Sequence, residues 1–292
     1  MTDGLAILLF AVFALLSGAL LRFLLHGSRV PYSVALLLLG LLVGALAEQA
    51  WLPAWAQEFS QSVDYVAGIE PQLILFLFLP ALIFESAFAM EVHLFRRMLP
   101  QIALLAVPGL IIATLLTALL VRLALPLEWS WPVALMFGAL VSATDPVAVV
   151  SLLKEQSSRK RLETLIEGES LLNDGTAIVF FVLFYAMLLG GAVEAGVAQV
   201  GLEFLRVVCV GALVGLLVAA GVVLWVGKVF NDAVLETVVT IAAAYLGFIV
   251  AEHGFHSSGV VAVVTTAVLL AGVGRTRFSP EVMHYLHNFW EM

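Results

Sequence analysis

The sequence predicts an all-α polytopic membrane protein of about nine transmembrane helices plus the start of a tenth. Three observations carry this reading. Of the 292 residues 63% are hydrophobic and only 12% charged, against about 25% charged in an ordinary soluble domain. Nine apolar runs recur along the chain, each long enough for the ~30 Å of hydrocarbon that about 17 or more helical residues cross. The basic residues also alternate regularly from one connection to the next.

The runs lie near residues 4–25, 31–47, 72–90, 99–126, 132–153, 165–190, 197–227, 233–252 and 255–274. The first is too long for a signal-peptide core and has no basic stretch ahead of it, so it reads as a retained span. Gly40 with Gly44 in the second run, and Gly211 with Gly215 in the seventh, form GxxxG pairs that suit tight helix packing or a dimer face. Ser279 and Pro280 read as the N-cap and first residue of the tenth helix. The chain stops at "FWEM" after barely three turns, and the expectation is a fragment.

Arg22 and Arg29, Arg96 and Arg97, Lys154 with Arg159, Lys160 and Arg161, Lys228, and Arg275 with Arg277 all flank odd-numbered connections. Eleven of the thirteen basic residues therefore share one side, which the positive-inside rule makes cytoplasmic. Only Arg122 and Arg206 lie toward the other face, where the second connection offers Glu48, Glu58, Asp64 and Glu70. The N-terminus is expected outside. Trp51, Trp55, Trp129 and Trp131 fit an outer interfacial belt.

Several function classes are excluded or set aside. The formal charge of −8 says little about soluble partners, because several acids lie within apolar runs. The chain has no basic patch of the kind nucleic acid requires. Cys209 is the only cysteine, so no intrachain disulfide forms. His253 with His256, and His284 with His287, have one-turn spacing but sit at segment ends, and no metal role is expected for them.

The charges that matter are those at mid-depth. At ~1.5 Å per residue, Asp145 lies about 20 Å into the fifth run, Asp174 about 18 Å beyond Leu162, where the sixth segment enters from the cytoplasmic side, and Glu85 about 20 Å into the third. A charge at bilayer centre costs at least ~2.5 kcal/mol on the insertion scale, so such acids usually face a cavity or partner. Each alone could be a protonated or hydrogen-bonded structural acid; three at one depth favour an ion or proton path.

In "SATDPVAVV" (142–150), Pro146 follows Asp145. Proline donates no N–H and crowds the carbonyl four residues back, so the helix should kink or unwind around Thr144 and Asp145. Freed carbonyls need partners, and a bound cation or water can serve. The plainer alternative is a simple proline kink. In "EGESLLNDGTAIV", Ser170 and Asp174 are four apart and share a helix face, with Asn173 one residue aside and Glu169 one turn below it. Hydroxyl, amide and carboxylate oxygens are hard ligands suited to a hard monovalent cation.

"LPALIFESAF", "SATDPVAVVSLLKE", "EGESLLNDGTAIV" and "HNFWEM" resemble the monovalent cation:proton antiporters of the NhaP and eukaryotic Na+/H+ exchanger group. Their similarity is nearest to plant salt-overly-sensitive plasma-membrane antiporters and bacterial relatives, from about residue 70 onward. The resemblance implies a partial antiporter fold, an inverted repeat with an unwound helix crossing at the midplane. It further implies exchange of Na+ or Li+ for H+ in pH and sodium homeostasis, with K+/H+ exchange as the alternative. Asp174 would alternately bind cation and proton. Ser170, a Thr144 carbonyl, Asn173, Asp145 and Glu85 would complete the ion and proton site beside the break at Pro146. Glu169 would form a structural ion pair with an arginine expected beyond Met292.

The resemblance thus implies no enzyme, no cofactor and no resident metal. Residues 1–292 would be a C-terminally incomplete exchanger membrane domain of a cell-membrane protein, a homodimer at full length. Position 173 is an amide and takes up no proton near neutral pH, so the expected exchange is electroneutral. Two other classes fit less well. An intramembrane aspartyl protease could use Asp145 and Asp174, but neither sits in a GxGD setting; a respiratory-complex proton-pumping subunit would carry mid-helix lysines, and no Lys lies at mid-depth.

Overall fold

The computed structural model describes residues 3–25, 32–47, 54–125, 128–144, 160–189, 197–226, 232–273, 285–286 and 289–290. All regular elements among them are helical. The chain forms two compact units, Met1–Phe76 and Leu77–Met292.

In the first unit, α1 (Asp3–Leu24) and α2 (Tyr32–Ala47) are built from Leu and Ala, strong helix formers with no polar group to place. A third helix, α3 (Ala54–Ala67), was not among the expected spans. Its sequence AWAQEFSQSVDYVA mixes polar and apolar residues at helical spacing, so a search for continuous apolar runs passes over it. The three helices pack on one another. Phe13 meets Phe59 edge-on at 4.5 Å, Tyr32 Oη donates to the Gly18 carbonyl at 3.1 Å, and Ser60 Oγ donates to the Ala47 carbonyl at 2.7 Å. Helix α4 (Pro71–Ala89) starts on a proline, whose missing N–H is an orphan there in any case.

In the second unit, α5 (Val92–Leu104) runs through a π-helical stretch, Leu105–Gly109, into α6 (Leu110–Ala124). Then come α7 (Trp131–Ser142), α8 (Lys160–Leu188) and α9 (Val197–Val226). Helix α10 (Ala233–Ile249) is N-capped by Asp232, whose Oδ1 accepts from the N–H groups of Val234 and Leu235 at 3.1 and 3.2 Å. It ends in a second π-helical stretch, Val250–Gly254. Helix α11 (Gly259–Val273) opens with its Gly259 N–H donating to Glu252 Oε2 at 3.0 Å.

Eight of the nine expected runs coincide with helices, although α5 starts before residue 99 and α8 before residue 165; the fifth, 132–153, is helical to Ser142 and lies outside the described residues from 145. Six helices of the described residues are long and apolar enough to cross a membrane: α1, α4, the continuous α5–α6, α8, α9 and α10 with its π extension. Their large apolar side chains face outward, Leu15, Leu120 and Leu123 among them, as lipid rather than water requires. The expected tenth-helix start at Ser279 and Pro280 lies outside the described residues. Trp290 near the end is buried: its Nε1 donates to Thr240 Oγ1 at 3.2 Å and its ring lies 4.6 Å from Phe84.

Glycines set the helix spacing in this unit. A Cβ on Gly138 of α7 would lie 2.5 Å from the Thr114 carbonyl oxygen of α6. One on Gly168 of α8 would lie 2.6 Å from Ile102 Cδ1 of α5, and one on Gly211 of α9 2.6 Å from the Ser258 carbonyl oxygen. At Gly215 it would run into the carbonyl oxygen of Ala262 in α11. The GxxxG pair of α9 is therefore used inside the chain, whereas a Cβ at Gly40 or Gly44 of α2 would meet nothing within 4 Å.

Candidate functional site: a broken helix against α8

Helix α7 stops at Ser142, and Ala143 is extended with φ −70° and ψ 123°. The break comes where the proline predicted it. Asp145 and Pro146 themselves lie outside the described residues. Ending a helix leaves its last carbonyls without intrahelical partners, and α8 answers two of them with side chains. Ser170 Oγ donates to the Thr144 carbonyl at 3.0 Å. Asn173 Nδ2 lies 3.3 Å from the Ser142 carbonyl and 3.2 Å from Glu169 Oε1 and donates toward both. Ser142 Oγ, in turn, donates to the Gly138 carbonyl at 2.6 Å within α7.

The i, i+4 spacing on α8 thus gives two adjacent stripes. In one, Glu169 and Asn173 are joined by a hydrogen bond; in the other, Ser170 and Asp174 share a face. Ser170 and Asn173 are buried, Glu169 is half-buried and Asp174 exposed. Asn173 Oδ1 is buried with no hydrogen-bond partner among the described residues. An orphaned buried carbonyl-type oxygen is costly, and a cation or a water would satisfy it. The Ser170 hydroxyl, having donated to Thr144, keeps lone pairs free to accept or coordinate. Hard oxygen donors of three kinds therefore gather at the helix break, the chemistry suited to an alkali cation.

Glu85 sits on α4, half-buried. Among the described residues Glu169 accepts from the Asn173 amide; the arginine that the resemblance implies for it is expected beyond Met292. Gly175, two residues past Asn173, packs α8 against α11, where a Cβ would lie 3.1 Å from Val260 Cγ1. Among the described residues no group of three or more His, Cys, Asp or Glu could hold a metal ion.

Over residues 1–292 the chain matches the model of the transmembrane sodium/hydrogen exchanger family. The chain belongs to that family. Among curated exchangers, it is 44% identical over 285 residues to sodium/hydrogen exchanger 7 of Arabidopsis thaliana, covering 97% of this chain and 24% of that protein. It is 39% identical to sodium/hydrogen exchanger 8 of the same plant, over 97% of this chain and 37% of the relative. With the Na(+)/H(+) antiporter NhaG of Bacillus atrophaeus it shares 34% identity, over 90% of this chain and 49% of that one. The chain therefore spans between about a quarter and a half of the length of these exchangers. Among solved structures, the sodium proton antiporter MjNhaP1 of Methanocaldococcus jannaschii matches with a TM-score of 0.73 at 20% identity, over 99% of this chain and 67% of that one. That likeness is of fold, and it makes the present chain a partial antiporter fold.

Some exchanger residues escaped the sequence reading. Gly138 and Thr114 hold α6 against α7 immediately before the break, and Thr114 Oγ1 is buried without a hydrogen-bond partner among the described residues. The glycine four residues ahead of Ser142 was the available signal. Glu236, 2% exposed on α10, has a buried Oε2 with no such partner.

Proposed function

We propose that the protein containing this chain exchanges Na+ or Li+ for H+ across the cell membrane, one for one, in pH and sodium homeostasis. The observation that carries the reading is the helix break at Ser142, whose freed carbonyls meet Ser170, one turn before Asp174, and Asn173, next to it. Asp174 is the exchange group: its carboxylate takes either a cation or a proton, and competition for the same oxygens couples the two fluxes. Ser170 Oγ, the Thr144 region and Asn173 Oδ1 supply neutral oxygens around the cation. Asp145, beside Pro146, and Glu85 belong to the same ion and proton path and stay in one protonation state through the cycle. Glu169 is structural; it orients Asn173 and does not carry the ion.

No covalent bond changes in this cycle, so the protein is a carrier, not an enzyme, and needs no cofactor. The N-terminus faces outward and the complete protein is a homodimer. Support for the ions comes from the printed names of the relatives, all sodium/hydrogen exchangers or antiporters.

Because Asn173 is an amide, both loaded states carry the same net charge. The test uses liposomes containing the complete protein. A pH gradient should drive Na+ and Li+ uptake. A K+ diffusion potential at equal pH and equal Na+ should drive none, although it offers ~2.3 kcal/mol per charge per 100 mV. Accumulation driven by the potential alone would overturn the one-for-one reading, and K+ transported in preference to Na+ would overturn the ion assignment.

A further inference from the structure

A groove of about 1440 Å³ opens between the first two turns of α5 and the second half of α11, with Leu172 of α8 also lining it. Its walls are mostly apolar, including Phe95, Leu99, Val268 and Leu269. Along the α5 side it also carries His93, Arg96 and Arg97, all exposed. No acid lines it. The acid nearest in sequence, Glu91, is held by Lys160, whose Nζ lies 2.7 Å from Glu91 Oε1.

The two guanidiniums differ from those of Arg122 and Arg206. Arg122 donates to the Trp129 carbonyl at 3.0 Å and stacks over Trp131, and Arg206 pairs with Glu203. Arg96 and Arg97 have no ion pair or side-chain hydrogen bond among the described residues. The α5 N-terminus beside them adds free N–H groups and the positive end of a helix dipole. Positive charge at the mouth of an apolar groove is the wrong sign to gather cations, and the right sign for an anionic headgroup whose chains lie in the groove.

We propose that this groove is a binding site for an anionic phospholipid, with the phosphate held by Arg96 and Arg97 and an acyl chain lying along Phe95, Leu99, Val268 and Leu269. Arginine suits the role because its planar fork matches phosphate oxygens in pairs. The charge bias of the sequence places this end on the cytoplasmic side, whose leaflet is the anionic one. The occupant sits beside the residue preceding Asn173, so the site adjoins the exchange machinery without sharing a residue with it.

The complete protein, purified and delipidated, is reloaded with phosphatidylglycerol or phosphatidylcholine of identical chains, and retained lipid is counted by native mass spectrometry. Wild type should retain phosphatidylglycerol in preference. The double variant Arg96→Gln/Arg97→Gln should lose roughly tenfold or more of that preference, while Arg96→Lys/Arg97→Lys keeps most of it and Arg122→Gln leaves it unchanged. Val268→Trp, which fills the groove, should lower retention of both lipids at unchanged elution volume. Equal retention of the two lipids by wild type, or an undiminished preference in the Gln variant, overturns the proposal. Inorganic phosphate competing as well as the lipid would reveal an anion site without an acyl component, and would overturn it too.

Discussion

Helices α8 and α9 are nearly the same length, 29 and 30 residues, and each meets a partner at close range, yet they achieve the approach by opposite means. On α9 the side chains are removed: Gly211 and Gly215 admit the carbonyl groups of Ser258 and Ala262, and α11 stays intact. On α8 the partner's hydrogen bonds are removed: α7 ends at Ser142, and Ser170 and Asn173 reach the carbonyls left over. The first arrangement buries apolar surface and leaves no polar atom wanting. The second gathers donors and acceptors and leaves one oxygen, Asn173 Oδ1, unmatched. Close packing makes a scaffold; interrupted packing leaves polar groups in need of partners.

Four substitutions break or sharpen this contrast. The largest effect is expected from Asp174→Asn in the complete protein, which should reduce exchange to the background of empty vesicles while expression and elution stay normal. Sustained exchange would remove the functional half of the comparison. Next, Gly215→Leu should drive α9 off α11 and destabilise the fold by about 3 kcal/mol, read as a lowered melting temperature together with loss of the monodisperse species. An unaffected melting curve would mean that α9 tolerates a side chain at its tightest contact.

Asn173→Ala comes third. It strips a donor from both the Ser142 carbonyl and Glu169, and should cost about 1 to 3 kcal/mol, with ion-stimulated thermal stabilisation reduced as well. A variant as stable as wild type and equally stabilised by Na+ would show that the amide bridges nothing of consequence. The smallest effect is expected at Gly40→Leu, where a new side chain meets nothing within 4 Å. Melting should shift by less than about 0.5 kcal/mol equivalent, and any large shift would place Gly40 in an interface.

Much of this contrast was legible in the sequence because it rests on strong local signals. Long apolar runs announce helices, a proline after an aspartate announces a break, and Ser170, Asn173 and Asp174 fall together by helical spacing alone. What the sequence did not disclose depends on pairing across the fold. Helical spacing alone puts Asn173 within reach of Glu169, but nothing local says that its amide would also reach the Ser142 carbonyl, since that hydrogen bond requires knowing where α7 ends relative to α8. Whether a GxxxG pair packs within the chain or stays open is equally unreadable from spacing: α2 and α9 carry the same pattern and use it differently. Helix α3 escaped because an amphipathic segment has no continuous apolar run, although its Ser62 is fully buried.

The π-helical stretch at Leu105–Gly109 acts as a phase correction. The buried positions along α5 and α6 include Met98, Ile102, Ala106, Leu110, Thr114 and Ala118, a strict step of four that an unbroken α-helix would carry around its own axis by about 40° each time. The wider turn around Pro108 offsets part of that drift, so one continuous rod offers Ile102 to Gly168 of α8 and, further on, the Thr114 backbone to Gly138 of α7. Removing a single residue from the stretch would turn everything beyond it by about 100°. Thr114 and Ala118 would swing away from α7 toward lipid, and the helix break would lose the backstop behind it.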